Sequence, residues 1–224
     1  MKQAVLFDLD GTLVDLRAVY IRAHQLAARE VLALELEEAR IIELMATGSP
    51  IRTHMAHLNE AAADVLVESF VMHYRREREG LARLFPGMNG LLRRLRSRGV
   101  PVAVVTSKLR EDTVAELAAT GLDESVQVVI AFEDTEEHKP APAPHLEALR
   151  RLGTSGGVGV GDLPGDVLSA RAAGLSALGV AWGYGAPAAL RDAGAERVCE
   201  TAAELGKALE RALDQPRPGP RGVF

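Results

Sequence analysis

The feature that most constrains this chain is a recurring one. Short, continuous apolar runs end on polar or small residues, and helical patterns separate them. The runs are AVLFD (4–8), PVAVVTS (101–107), VQVVIAF (126–132), GGVGVGD (156–162) and LSALGVAW (175–182), with a weaker one around Val198. Unbroken apolarity over so few residues predicts strands buried on both faces. The stretches between them have helical spacing and stop on glycine: GLLRRLRSRG at Gly99, EDTVAELAATG at Gly121 and APHLEALRRLG at Gly153. PGDVLSARAAG opens on Pro164, suited to a first helical turn, and closes on Gly174. From about residue 86 onward, helix and buried strand alternate. That rhythm predicts right-handed crossovers and a doubly wound, Rossmann-like parallel sheet of the α/β class.

Residues 16–85 break the rhythm. They hold three long amphipathic stretches: LRAVYIRAHQLAAREVLAL, LEEARIIELMATG, and AAADVLVESFVMHYRRERE with Asn59 ahead of it as an N-cap. An α-helical domain inserted at 16–85 is therefore expected between core segments 1–15 and 86–213. Phe85-Pro86-Gly87 marks the return to the core. Residues 214–224, with three prolines and two glycines, are expected to be a disordered tail.

At 224 residues, 47% hydrophobic and 25% charged, the composition suits a globular protein and excludes global disorder. The net charge of −5 argues against nucleic acid or an anionic membrane as partner. The arginines from Arg75 to Arg98 are broken by Glu77 and Glu79 and read as solvated helix faces. A single cysteine, Cys199, rules out an intrachain disulfide and a cysteine zinc cage, and its apolar neighbours mark it as a buried small hydrophobe. The first apolar run carries Asp8 and Asp10, so it does not read as a secretion leader. No run approaches the ~20 apolar residues of a membrane span. A cytoplasmic protein, monomer or homodimer, is expected.

In an open parallel sheet, ligands bind at the carboxyl ends of the strands. There the sequence places Asp8 and Asp10, Thr106 and Ser107, and Asp162 with Asp166, while Lys139 sits in a loop of the same half. Several carboxylates beside one lysine are costly to bury bare, and a hard divalent cation resolves the conflict. Oxygen ligands favour Mg²⁺, which takes carboxylates, waters and substrate phosphate. Such a site suits a phosphoryl group, and a carboxylate within it can act as a nucleophile. His54 and His57, three apart, lack a third ligand and read as packing residues.

DLDGTLVD (8–15), VVTSK (104–108), HKPAPAP (138–144) and GDLPGDVLSARAAG (161–174) resemble, in order, the four motifs of the haloacid dehalogenase-like superfamily. GVAWGYG (179–185) resembles its phosphoglycolate phosphatase-like branch, and the helical insert resembles that superfamily's α-helical cap. The resemblance implies a Mg²⁺-dependent phosphatase acting on a small phosphorylated metabolite through an aspartyl-phosphate. It implies Asp8 as nucleophile and metal ligand, and Asp10 as acid, then base, with its carbonyl on the metal. Thr106, Ser107 and Lys139 would hold the phosphoryl group, and Asp162 and Asp166 would bind or support Mg²⁺. Gly48 and Arg52, in the turn between two helical patterns of the insert, would contribute to substrate specificity. Leu163 stands where this branch usually has Ser or Thr. Dehalogenase relatives lack the second aspartate of the first motif, which Asp10 supplies here. A pyrophosphatase, a sugar-phosphate phosphatase or phosphomutase, and a non-catalytic scaffold stay open as alternatives.

Overall fold

The computed structural model describes residues 3–214. The expected tail at 214–224 lies outside them, apart from Asp214, which ends the last helix. The chain divides into two compact units: one formed by the residues up to Val14 with those from Leu84 onward, the other by Asp15–Arg83.

In chain order the first unit contributes β1 (Ala4–Phe7) and the start of β2 (Val14–Asp15). The second unit follows with α1 (Arg17–Leu32), α2 (Glu38–Ala46), α3 (Ile51–Leu58) and α4 (Ala63–Leu81). The short strand β3 (Arg83–Leu84) pairs with β2 where the chain passes between units. Then come α5 (Met88–Ser97), β4 (Val102–Val105), α6 (Arg110–Thr120), β5 (Val128–Ile130), α7 (Ala143–Leu152) and β6 (Gly157–Gly161). The chain closes with α8 (Pro164–Ala172), β7 (Ser176–Val180), α9 (Pro187–Asp192), β8 (Arg197–Cys199) and α10 (Ala202–Asp214).

Six strands form one sheet in the order β5-β4-β1-β6-β7-β8, and every pairing in it is parallel. The expected doubly wound α/β sheet is therefore what the chain forms. β1, β4, β6 and β7 are buried at every residue, as their unbroken apolar runs require of strands covered on both faces. Leu6, Val105, Ile130 and Val167 belong to one packed cluster with Ala148 and Ala170 of the covering helices. Full burial of a side chain like Leu6 or Phe7 contributes about 1.5–3 kcal/mol.

The strand order reverses around β1. The chain first moves outward on one side through β4 and β5, then returns to the other side with β6. Phe7 is in register with Val104 on one flank and Val160 on the other. Residues just past those positions therefore emerge side by side at the carboxyl edge, the place where such sheets bind ligands.

The second unit is helical. α1 and α4 pack along each other, with Tyr20 and His24 of one against Phe70 of the other and Tyr20 against Tyr74. α3 is an element beyond the three amphipathic stretches, so Arg52 lies in a helical first turn and Gly48, at φ +65°, in the turn before it. Asn59 caps a single 3-10 turn, Glu60–Ala62, by accepting the Ala62 amide at 3.2 Å, rather than capping α4 itself. His54 is buried against His24, with ring centroids 5.6 Å apart, and does not pair with His57. Among the described residues, no helix is long and apolar enough to cross a membrane. Cys199 is buried and free.

Candidate active site

Asp8 directly follows β1, and its amide donates to Val160 O at 2.8 Å, which ties the residue to β6. Past it the chain turns tightly: Leu9 O accepts the amides of Leu13 and Val14 at 2.9 and 3.0 Å, and Gly11 N donates to Val14 O at 2.9 Å. Gly11 has φ +83°, and a Cβ there would collide with the Asp162 carboxylate. Only glycine meets both demands. The turn brings Asp8 and Asp10 to one edge from the same loop.

Lys139 enters from the loop before α7, and its peptide bond to Pro140 is cis. Its Nζ donates to Asp8 Oδ1 and Asp166 Oδ1, each at 2.6 Å, and to Val105 O at 3.0 Å. Asp166, in the first turn of α8, accepts the Leu163 amide on its other oxygen at 3.0 Å. One carboxylate thus caps a helix N-terminus and neutralises a lysine. One oxygen each of Asp8, Asp162 and Asp166 lies within 4.8 Å of the others.

Asp162 directly follows β6 and is fully buried. Its Oδ1 accepts Thr12 Oγ1–H at 2.9 Å and its Oδ2 accepts the Tyr184 amide at 2.8 Å. Trp182 Nε1 donates to Thr12 O at 3.1 Å, fastening the segment after β7 to the same turn. A Cβ at Gly183 would also strike Asp162, so the backbone closes directly over it.

Charge is unbalanced here. Burial pushes the Asp8 carboxyl well above the usual range; Lys139 opposes this, while Asp166 and Asp162 add to it. Burial, then Asp166, pushes Asp162 up to about 7, against the hydrogen bonds from Tyr184 and Thr12. For Lys139, burial works against the charge, but Asp166 and Asp8 outweigh it and hold the ammonium above its ordinary value. Three clustered carboxylates facing one buried ammonium favour a further positive charge. The donor set is all oxygen, which fits a hard divalent cation.

Thr106 follows β4 and is buried, and its amide donates to Ile130 O at 2.9 Å. Its Oγ1 accepts the Lys108 amide at 3.2 Å, and an oxygen that accepts there can still donate its own proton. Ser107 beside it is exposed. Gly48 and Arg52 belong to the helical unit, where Arg52 Nε donates to Asp64 Oδ1 at 2.8 Å and Nη1 lies 3.5 Å from Glu60 Oε1. The structure thus brings Asp8, Asp162, Asp166 and Lys139 into one cluster and leaves Arg52 in ion pairs of its own unit.

Two participants carry no role in the sequence reading. Thr12 stands inside DLDGTLVD, and its hydroxyl orients Asp162. Lys108 stands inside VVTSK, and its Nζ lies 2.8 Å from Asp10 Oδ1. Both were signalled by membership of a motif. Neither has a partner visible in linear order, since Thr12 and Asp162 are 150 residues apart.

A doubly wound sheet with an acidic cluster and a buried lysine at its topological switch point defines a Rossmann-like α/β enzyme class. The chain belongs to the haloacid dehalogenase-like hydrolase family, whose model matches residues 5–180. It is 33% identical over 186 residues to a phosphoglycolate phosphatase of Xanthomonas campestris pv. campestris, covering 81% of this chain and 84% of that one. It is 28% identical over 182 residues to a pyrophosphatase of Oceanobacillus iheyensis, covering 80% and 84%. A haloacid dehalogenase-like family hydrolase of Streptococcus pneumoniae shares the fold, with a TM-score of 0.82 at 24% identity over 92% of this chain and 98% of that one.

Proposed function

We propose that this hydrolase is a Mg²⁺-dependent phosphatase of a small phosphorylated metabolite, phosphoglycolate-like in its substrate, working through an aspartyl-phosphate on Asp8. The observation that carries the reading is Lys139 held between Asp8 and Asp166, with Asp162 in the same cluster. A nucleophilic carboxylate needs a neighbouring cation to stay ionised when buried, and a phosphoryl group needs the same cation on its oxygens.

In this reading a carboxylate oxygen of Asp8 attacks phosphorus as the bond to the ester oxygen breaks. Asp10 gives its proton to the departing oxygen. It then takes a proton from the water that attacks the aspartyl-phosphate, releasing inorganic phosphate and restoring Asp8. Lys139 and the Thr106 hydroxyl hold the phosphoryl oxygens, with Ser107 alongside. Asp8, the Asp10 carbonyl, Asp162 and Asp166 would hold Mg²⁺, which neutralises phosphoryl charge when bound.

Gly48 and Arg52 enter the proposal only as specificity residues. The pairing of Arg52 with Asp64 is exposed and screened by solvent, weak enough for a substrate anion to replace. Arg52→Ala is expected to lower kcat/KM for the best natural substrate more than for p-nitrophenyl phosphate. Equal losses would remove it from the proposal.

The relative named pyrophosphatase makes pyrophosphate the second candidate substrate. The testing experiment is hydrolysis of p-nitrophenyl phosphate, phosphoglycolate and pyrophosphate, with and without Mg²⁺. Metal-dependent turnover of the esters supports the reading. Activity unaffected by chelation, or none on any phosphate, defeats it.

A further inference from the structure

Lys108 has no part in the mechanism above, yet it is anchored within the same edge of the sheet. Its Nζ lies 2.8 Å from Asp10 Oδ1 and 2.7 and 2.6 Å from the two oxygens of Glu116. The Lys108 side chain is 8% exposed and that of Glu116 only 1%. Glu116 projects from the second turn of α6, and Lys108 follows β4, the neighbour of β1 from which Asp10 comes. A carboxylate so deeply buried is strongly disfavoured without a cation, so Glu116 fixes where the ammonium sits. The ammonium in turn meets Asp10 from outside its own loop.

Asp10 needs such a support. It sits in a turn rather than on a strand, and a short carboxylate side chain has several staggered orientations open to it. Proton transfer to a leaving oxygen requires one of them, held to a fraction of an ångström. The Lys108 amide also donates to Thr106 Oγ1, the hydroxyl proposed above to hold the phosphoryl oxygens.

We infer that Lys108, anchored by Glu116, is a positioning residue that holds the Asp10 carboxyl in line with the leaving-group oxygen. The inference rests on the reading of Asp10 as acid and base. Lys108 touches no reacting atom in this account, and its effect is transmitted wholly through Asp10. Glu116 belongs to the device because it keeps the ammonium from following any other anion.

The test is the dependence of kcat/KM on leaving group across aryl phosphates, from p-nitrophenyl to phenyl and p-methoxyphenyl phosphate, at saturating Mg²⁺. This ratio reports the step in which the ester bond breaks. Nitrophenolate departs without a proton, whereas the poorer leaving groups need one. Asp10→Asn is expected to lose about 10²–10⁴-fold on p-methoxyphenyl phosphate and far less on the nitrophenyl ester. Lys108→Met is expected to steepen the same dependence, with a loss of about 10–100-fold on the poorest leaving group. The double variant Lys108→Met/Glu116→Leu removes both buried charges and should steepen it equally, which guards against misfolding of the single variant. If Asp10→Asn steepens the dependence while the double variant loses equally on every ester, or nothing at all, the positioning role is overturned and the role of Asp10 stands. If Asp10→Asn loses equally on every ester, the reading of Asp10 falls, and this inference falls with it.

Discussion

Aspartate and asparagine at position 8 differ little in size, but an amide is a poor nucleophile. Asp8→Asn should therefore fold and lose several orders of magnitude in kcat, as other covalent catalysts do without their nucleophile. A folded variant with wild-type turnover of p-nitrophenyl phosphate would exclude a covalent role for Asp8. Gly11 is a second test at this scale. Alanine there must adopt φ near +83° and press its Cβ on Asp162. Backbone strain of this kind costs of order 1–3 kcal/mol. Gly11→Ala should lower the denaturant midpoint and weaken Mg²⁺ binding together, read by chemical unfolding and by metal titration of the full chain. Unchanged values of both would show that the turn has room to spare. Asp8 and Asp162 were legible in the sequence because each stands at the end of an apolar run, and Asp166 because it falls in the helical turn that opens on Pro164. Lys108 and Glu116 were less so. A glutamate in the middle of α6 reads as solvent-facing, whereas it is buried against the lysine eight positions earlier.

At the scale of elements, the strands were legible because continuous apolarity has few other uses in so short a run. The observed strands are shorter than those runs at their carboxyl ends. β1 stops at Phe7 and β4 at Val105, although the Asp8 and Thr106 amides still bond the neighbouring strands. α3 was the poorly legible helix. Only His54 and Met55 are buried in it, too few to mark an apolar stripe, and Gly48 and Pro50 ahead of it read as a loop. The burial of His24 and His54 was equally hidden, because histidine suits either a surface or a core. Burial lowers the pKa of each from 6.5 to about 4. His54 is also disfavoured as a cation by His24 and His57, while the bond from His24 Nδ1 to Tyr20 O partly opposes the shift at His24. The folded helical unit thus binds fewer protons than its unfolded form between these values. Its stability is full above pH 6.5 and falls as pH drops toward 4, by at most about 1.4 kcal/mol per pH unit for each group. Hydrogen exchange of α1 and α4 amides, corrected for intrinsic rate, should reveal weaker protection at pH 5 than at pH 7. Equal protection at the two pH values would contradict the assignment.

Across the whole molecule, the parallel sheet supplies the address and the loops supply the chemistry. β1 lies between β4 and β6, so loops far apart in sequence deliver Asp8, Thr106 and Asp162 to neighbouring strand ends. That convergence was readable before any coordinates, because handed crossovers leave few ways to arrange alternating strands and helices. The leaving group was not readable in the same way, since in the proposed mechanism the core would hold only the phosphoryl group common to every candidate substrate. The central claim is a phosphoryl group carried on Asp8, and the most direct measurement is chemical trapping. Enzyme turning over p-nitrophenyl phosphate with Mg²⁺ is quenched and treated with borohydride, which reduces an acyl phosphate to an alcohol. The peptides are then read by mass spectrometry. The account predicts homoserine at position 8, only when substrate is present. Rapid turnover with Asp8 never reduced, or with the label on another residue, would contradict it.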